Sequence, residues 1–524
     1  MIIVMNSNFS LRILSTSDIH GYILAKNYAD NSKVDYGLSI VSNIIKEKRN
    51  QNTILLDIGD DLQGNPLMYF HQLNRNDYPN PLAKVFNYLN YDYFVPGNHD
   101  FNYGLDYLED FIKMINAKTL CSNIYNLDDE YLFTYPYEIK EFKGGPKIGI
   151  IGLTTQYIPN WENPSFIKDI KFVNAYESLK STVKKLRKEV DFIIVAYHGG
   201  FERELVTNKP YVVDTGENLG SKIINNIKGI DVFISAHQHR QISELVNDAA
   251  IIQSGSRGES VGMIDVEFKF EDKWIVKSKE ATLVKSDNYQ EDENVISLIS
   301  EIETACQEFL DKKIGNVVLD NLKVEDMFSA RLNKHPIVTF INQVQLEYSK
   351  AMISATSLPN EVTGFSKDIT VRNVLSTYVY ANTLSVLEVS GEVLKRILEK
   401  NAEYFICEDG EPKINPRFYY PKMQHYNYDM FDGIDYLIDL SEPFGKRIKE
   451  LKYKNAPVSD KQKFSFVVNN YRASGGGDFA EYKNLRIIRQ IPFDIAELII
   501  DYIIAHGNLK IENKNNIKII SEKC

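Results

Sequence analysis

Gly97-Asn98-His99-Asp100-Phe101-Asn102-Tyr103-Gly104 follows the apolar run Tyr93-Phe94-Val95 and precedes a helical pattern, so the octet falls at a strand's carboxyl end. Open α/β sheets put their sites there. Asn98 offers an amide oxygen to a hard cation, and His99 beside it can hold or donate a proton. Alone the octet is a weak signal, because an Asn-His pair in a loop is a common turn. Four further segments strengthen it: Ser17-Asp18-Ile19-His20-Gly21, Asp57-Ile58-Gly59-Asp60-Asp61-Leu62-Gln63-Gly64, Tyr197-His198-Gly199-Gly200 and Ser235-Ala236-His237-Gln238-His239. Each also follows an apolar run. The chain has 9 histidines. His20, His99, His198, His237 and His239 lie in these segments, and His71, His335, His425 and His506 do not.

Together with Asn98, these segments supply carboxylates from Asp18 and Asp60 and imidazoles from His20, His198, His237 and His239. Such a set is enough for two divalent cations sharing one carboxylate. Nitrogen and oxygen donors without thiolates suit Mn, Zn or Fe at a site that keeps water for chemistry.

At 524 residues the chain is too long for one ordinary core, and 44% hydrophobic with 25% charged residues is the balance of a globular protein. A net charge of -11 argues against a nucleic-acid polymer as partner, though a bound metal can still attract a small anion. Cys121, Cys306, Cys407 and Cys524 are far apart and read as incidental thiols, with no disulfide framework. Met1 to Asn8 lacks a basic region and a cleavage site, so no secretory signal and a cytoplasmic location are expected. No apolar run approaches the length of a membrane span. Nothing in the sequence indicates oligomeric state.

From Leu11 to Val284, strands and helices alternate: strands at Leu11 to Leu14, Thr53 to Leu56, Phe94-Val95, Ile148 to Ile151, Phe192 to Val195 and Val232 to Ile234, with helices at Gly37 to Lys48 and Asn174 to Lys188. A largely parallel, layered α/β domain is expected, closed after His239 by antiparallel strands at Ile251 to Gln253, Val261 to Phe268 and Trp274 to Leu283. Val295 to Lys312 reads as one amphipathic helix that Gly315 can end. The expected division is a first domain over 9–284, a linker helix over 285–313 and a smaller α+β domain over 314–524.

The motifs DxH (Asp18, His20), GDxxQG (Gly59 to Gly64), GNHD (Gly97 to Asp100), the later His198 and HxH (His237, His239) resemble those of the calcineurin-like metallophosphoesterases. The second domain looks like that of the 5'-nucleotidase superfamily. The resemblance implies an α/β/β/α metallophosphoesterase domain with a C-terminal nucleotide-binding domain. It implies one metal on Asp18, His20, Asp60 and His239, a second on Asp60, Asn98, His198 and His237, and attack on phosphorus by a metal-activated hydroxide. His99 would stabilise the transition state or protonate the leaving oxygen. Ala236 stands where the family usually has Gly.

In the 5'-nucleotidase branch an Asp three positions on supports that histidine. Here the position is Asn102, which can orient the imidazole but cannot stabilise its cation as a carboxylate does. The run Gly97 to Leu108, with Phe431-Asp432-Gly433-Ile434 and Asn470 to Gly477, is more similar to the 2',3'-cyclic-nucleotide 2'-phosphodiesterase/3'-nucleotidase branch. That branch implies hydrolysis of 2',3'-cyclic nucleotides to 3'-nucleotides, and of these to nucleosides, with a small nucleotide as substrate and neither a nucleic-acid polymer nor a membrane as partner. The resemblance places the base between Tyr428 and Phe479, with Asp478 and Asn382 as further contacts. An arginine that the 5'-nucleotidases carry early in this domain is missing from Ser357 to Gly364. The alternatives are a 5'-nucleotidase or nucleotide-sugar hydrolase, or a nucleotide-binding protein without catalysis.

Overall fold

The computed structural model describes residues 8–162, 164–210, 216–319, 321–380, 382–420, 422–491 and 493–521. Met1 to Ser7, on which the absence of a signal was read, and Cys524 lie outside the described residues. The chain forms two compact units, Met1–Cys306 and Gln307–Cys524.

In the first unit the short β-branched runs become two six-stranded sheets. One is ordered Trp274–Lys285, Ser260–Phe270, Asn8–Thr16, Thr53–Asp57, Tyr93–Phe94, Lys118–Thr119; the other Gln241–Val246, Ala249–Ser254, Val232–Ser235, Phe192–His198, Lys147–Thr154, Tyr137–Glu141. Their facing sides close on each other, with Ile13, Ile54 and Leu56 packed in one buried cluster with Ile150, Ile194 and Ile234. Each such side chain gains roughly 1.5–3 kcal/mol on leaving water. Helix Ala175–Leu186 covers the second sheet, where Leu179 and Val183 meet Ile193 and Phe233. Asn174 caps that helix by accepting from the Glu177 amide at 3.2 Å. Helix Leu38–Lys48 buries Val41, Ile44 and Ile45.

Parallel pairing decides where the site falls. Thr16 lies opposite Asp57, and Thr154, His198, Tyr197 and Ser235 end the parallel strands of the second sheet. The strands' carboxyl ends therefore converge, and the five motifs follow them.

Some expectations need correction. Ala249–Ser254 is parallel to Val232–Ser235, not part of an antiparallel closure. All six of its residues are buried, as for a central strand covered on both faces. The chain first turns back through Gln241–Val246, which pairs antiparallel to it. Gly315 does not end the long helix, which stops at Leu310; it lies in strand Lys313–Val317, where a Cβ would come within 2.5 Å of Ile503. That helix, Glu293–Leu310, buries Val295, Ile299, Ile302, Cys306 and Leu310 as its period requires. Cys121 and Cys306 are buried, but Cys407 is disulfide-bonded. Motif spacing detects only thiol pairs that are close in sequence.

The second unit is mixed α+β. Its five-stranded sheet runs Asp429–Asp432, Ile353–Ser357, Lys463–Asn469, Leu384–Ser390, Arg486–Ile491, with helices Pro336–Ser349, Gly391–Asn401 and Ile495–His506 in the same unit. Buried ion pairs hold two ends of one strand, Arg472 with Asp429 at 2.7 Å and Lys334 with Asp432 at 2.8 Å. Among the described residues no helix is long and apolar enough to cross a membrane.

His71 gives the first unit a pH dependence away from the motifs. It sits on helix Pro66–Leu73 with Nε2 3.1 Å from the Tyr78 carbonyl and Nδ1 2.6 Å from the Tyr107 hydroxyl. The carbonyl only accepts, so Nε2 carries the proton and Nδ1 accepts from Tyr107. Burial pushes its pKa down to about 4. The unfolded chain takes up this proton below about pH 6.5 and the fold does not, so the contribution is present above that pH and lost toward pH 4. His71→Gln removes the titration: between pH 7.5 and 5 the wild-type melting temperature should fall more than the variant's. Parallel curves would contradict the assignment.

Candidate metal centre

Five residues in three of the motifs adopt backbone conformations that ordinary residues avoid. Asp18, His20, Asp60, His237 and His239 have φ of 53°, 51°, 61°, 72° and 55°. Such residues cost of order 1–3 kcal/mol each and persist only where their surroundings hold them. Here Asp18 N donates to Gly59 O at 2.7 Å and His20 N to Asp60 O at 2.8 Å. His237 N donates to both Asp18 oxygens, at 3.0 and 3.2 Å. Asp100, fully buried, accepts from four amides: Asp60 at 3.0 Å, Asp61 at 2.8 Å, Leu62 at 2.9 Å and Gly97 at 2.7 Å. The two glycines are required by close approach. A Cβ on Gly97 would stand 2.3 Å from Asp60 Oδ1, and one on Gly59 would stand 2.1 Å from Gly97 N.

Two groups of donor atoms result: Asp18, His20 and His239, and Asp60, His198 and His237, each with its atoms within 4.8 Å of one another. His20 Nδ1 meets the Gln63 carbonyl at 2.8 Å, leaving Nε2 3.1 Å from His239 Nε2. Two nitrogens each about 2.1 Å from one cation lie roughly 3.0–3.4 Å apart, so this pair fits a shared ion. His239 Nε2 is 3.5 Å from Asp18 Oδ1. In the second group His198 Nδ1 bonds the Ile58 carbonyl, and its Nε2 lies 3.2 Å from both Asn98 Oδ1 and Asp60 Oδ2. His237 Nε2 meets Glu217 Oε1 at 2.7 Å, which leaves Nδ1 as the donor. Imidazoles whose other nitrogen is fixed by a carbonyl or carboxylate are the usual form of metal-holding histidine.

Charge is balanced tightly. Burial pushes His20 down to about 3, so it is neutral and its lone pair is available. Burial also pushes His198 down, but Asp60 more than offsets this and its pKa rises to about 9. Burial opposes ionisation of Asp60, yet His198 and His99 hold it well below the usual carboxylate range. A cation that takes the His198 lone pair displaces this proton, as metal binding to an imidazole requires.

The structure thus brings together Asp18, His20, Asp60, Asn98, His198, His237 and His239. His99 is half-buried at the same place, with its amide on Asp60 Oδ1 at 2.7 Å and its ring 5.2 Å from that of His20. Its Nδ1 is 2.7 Å from Asn102 Oδ1. Sequence reasoning missed Asp100, although it lies inside the quoted octet. It also missed Glu162, Glu217 and Trp161, whose ring stacks on His237 at 5.4 Å.

The second unit departs further from expectation. Tyr428 is fully buried, with Tyr404 stacked on it at 4.6 Å and Phe405 edge-on at 5.2 Å. Phe479 is buried under the Arg472 guanidinium at 4.3 Å. Both rings are therefore covered by side chains of their own unit. Half-buried Tyr426 and Tyr471 lie beside them, 6.3 Å apart. Asp478 is exposed at φ 64°, and Asn382 is half-buried with its side chain bonded to Tyr378. The glycine run is packing: a Cβ on Gly476 would strike the Tyr471 ring at 2.6 Å. The segment Ser357 to Gly364 does receive an arginine, but from elsewhere, since Arg331 bonds the carbonyls of Pro359 and Asn360.

Residues 11–241 match the calcineurin-like phosphoesterase family and residues 314–484 the 5'-nucleotidase C-terminal domain. A Staphylococcus aureus protein named as a candidate 5'-nucleotidase, solved with alpha-ketoglutarate, superposes with a TM-score of 0.90 at 34% identity over 98% of this chain and 100% of that one. The chain belongs to the calcineurin-like phosphoesterases with a 5'-nucleotidase C-terminal domain. This phosphoesterase is also 26% identical to the 2',3'-cyclic-nucleotide 2'-phosphodiesterase/3'-nucleotidase of Haemophilus influenzae, over 95% of this chain and 85% of that protein. It is 27% identical to the trifunctional nucleotide phosphoesterase YfkN of Bacillus subtilis over 97% of its length, spanning 39% of that protein. It is a metal-dependent phosphoric ester hydrolase, and phosphoesterases of this family use divalent metals. The donor set fits such ions.

Asp100→Asn tests the support. An amide leaves only one oxygen for four donors, so bound Mn²⁺ per chain, counted after dialysis, should fall at least two-fold, and the rise in melting temperature on adding Mn²⁺ should shrink. Wild-type values for both would contradict the role given to Asp100.

Proposed function

We propose that this phosphoesterase hydrolyses 2',3'-cyclic nucleotides to 3'-nucleotides, and 3'-nucleotides to nucleosides and phosphate. The observation that carries the reading is the Asn102 amide on His99, in place of the carboxylate of the 5'-nucleotidase branch. The name of the Haemophilus influenzae relative supports it. Asp18, His20, Asp60 and His239 would hold one cation and Asp60, Asn98, His198 and His237 the other, with Asp60 the carboxylate available to both. When bound, two such ions activate water and screen the charge of a phosphoryl group.

The remaining work falls to the side chains. Asp60 is fixed by the His99 amide and Asp100 by four others, so donors are in place before substrate arrives. Asn102 accepts from His99 Nδ1, which turns Nε2 toward a leaving oxygen. That nitrogen supplies the proton as the P–O2' bond breaks, and in the second reaction as the P–O3' bond breaks. In the C-terminal domain the residues for the base are Tyr428 and Phe479, with Asp478 and Asn382 for polar contacts, and half-buried Tyr426 and Tyr471 offer further aromatic faces. One aromatic face gives roughly 1–3 kcal/mol and little preference among bases.

A 5'-nucleotidase is the second reading, favoured by the name of the Staphylococcus aureus structure. The disulfide at Cys407 favours an oxidising compartment over the cytoplasm expected from sequence.

Hydrolysis of 2',3'-cyclic AMP, 3'-AMP and 5'-AMP with Mn²⁺, with products resolved, separates the readings. The cyclic substrate should pass through 3'-AMP to adenosine, and His99→Gln should lower kcat on 3'-AMP by about 10²–10⁴. Cleavage of 5'-AMP alone would overturn the first reading and keep the second.

A further inference from the structure

The amide of Asn102 has a second partner. Its Nδ2 donates to Glu162 Oε2 at 2.7 Å, while its Oδ1 is 2.7 Å from His99 Nδ1. Glu162 is 8% exposed and stands sixty residues along the chain, where its own amide is pinned to the Ile158 carbonyl at 3.0 Å. The preceding residue, Trp161, stacks on His237. One short turn thus touches both sides of the centre.

The hydrogen-bond inventory fixes every proton in this chain of contacts. A carboxylate only accepts, so Asn102 must present Nδ2 to Glu162 and Oδ1 to His99. An amide oxygen also only accepts, so His99 Nδ1 must carry a hydrogen. Nε2 is then the atom through which His99 exchanges a proton with a ligand. Without Glu162 the amide can turn over, offering Nδ2 to the ring and demanding the opposite tautomer.

We propose that Glu162 is a positioning residue for His99, acting through Asn102 to fix the amide's orientation and so the ring's tautomer and its Nε2 toward the leaving oxygen. The negative charge that the 5'-nucleotidase branch places directly beside this histidine is here one residue further out. The proposal rests on the leaving-group role given to His99 above.

The geometry allows an exchange that keeps every contact. In the double variant N102D/E162Q the carboxylate introduced in place of Asn102 would accept from His99 through one oxygen. Its other oxygen would accept from the amide introduced in place of Glu162. Wild type, Glu162→Gln, Asn102→Asp and the double variant are compared on 3'-AMP and on 4-nitrophenyl phosphate, whose leaving oxygen needs little protonation, with bound Mn²⁺ counted for each. Glu162→Gln, whose amide presents Nε2 as readily as Oε1 to Asn102 and so no longer dictates its orientation, should lower kcat on 3'-AMP several-fold at similar KM and similar metal content, with a much smaller loss on the nitrophenyl ester. Asn102→Asp, which sets two carboxylates against each other, should also lose activity. The double variant should return to within a few-fold of wild type. Equal losses on both esters, or losses that multiply in the double variant, mean a merely structural contact and overturn the proposal. If His99→Gln is impaired on 3'-AMP and Glu162→Gln is not, the proposal alone falls. If His99→Gln keeps wild-type kcat, the leaving-group reading falls and takes the proposal with it.

Discussion

The Asp100 carboxylate is the constraint on which the centre depends. By accepting from the amides of Asp60, Asp61, Leu62 and Gly97 it locks the loop after one parallel strand to the loop after the next. Gly59 and Gly97 are what let those loops touch at all. Asp60 can then sit at φ 61° with one oxygen on the His99 amide and the other facing His198. Asp18, pulled in by the amide of His237, ties the second sheet to the first. An unpaired buried carboxylate would be costly; one that meets four oriented amides is an anchor.

Much of this was legible because it follows from two periods and one distribution. Alternating apolar runs and amphipathic helices give parallel strands, whose ends must share an edge. Histidines crowded at those ends then point to a metal site before any distance is known. The less legible parts are those where chemistry depends on distant residues. Asp100 reads as one more polar residue in a turn, and only four bonds give it its role. Glu162 and Glu217 lie in stretches with no motif and reach the centre only through tertiary structure. Cys407 looks solitary because no second cysteine stands near it in sequence, yet it is disulfide-bonded.

The C-terminal unit shows a different limit. Matching by motif chose Tyr428 and Phe479, but aromatic residues beside a ligand slot and those in the core beneath it have the same local sequence. Burial and ring contacts tell them apart: Tyr428 is closed by Tyr404, whereas Tyr426 and Tyr471 are half-buried. Arg331 carries a related lesson. An arginine absent from one segment can reach its carbonyls from a neighbouring helix.

The central claim is that strand-end donors hold two cations through a shared Asp60. The most direct test is to reconstitute the full chain with Mn²⁺, remove the excess by dialysis, count the metal and record its electron paramagnetic resonance. Two ions per chain with an exchange-coupled spectrum, lost in Asp60→Ala, is the result the account predicts. One ion per chain, or two uncoupled ions unaffected by Asp60→Ala, would contradict it.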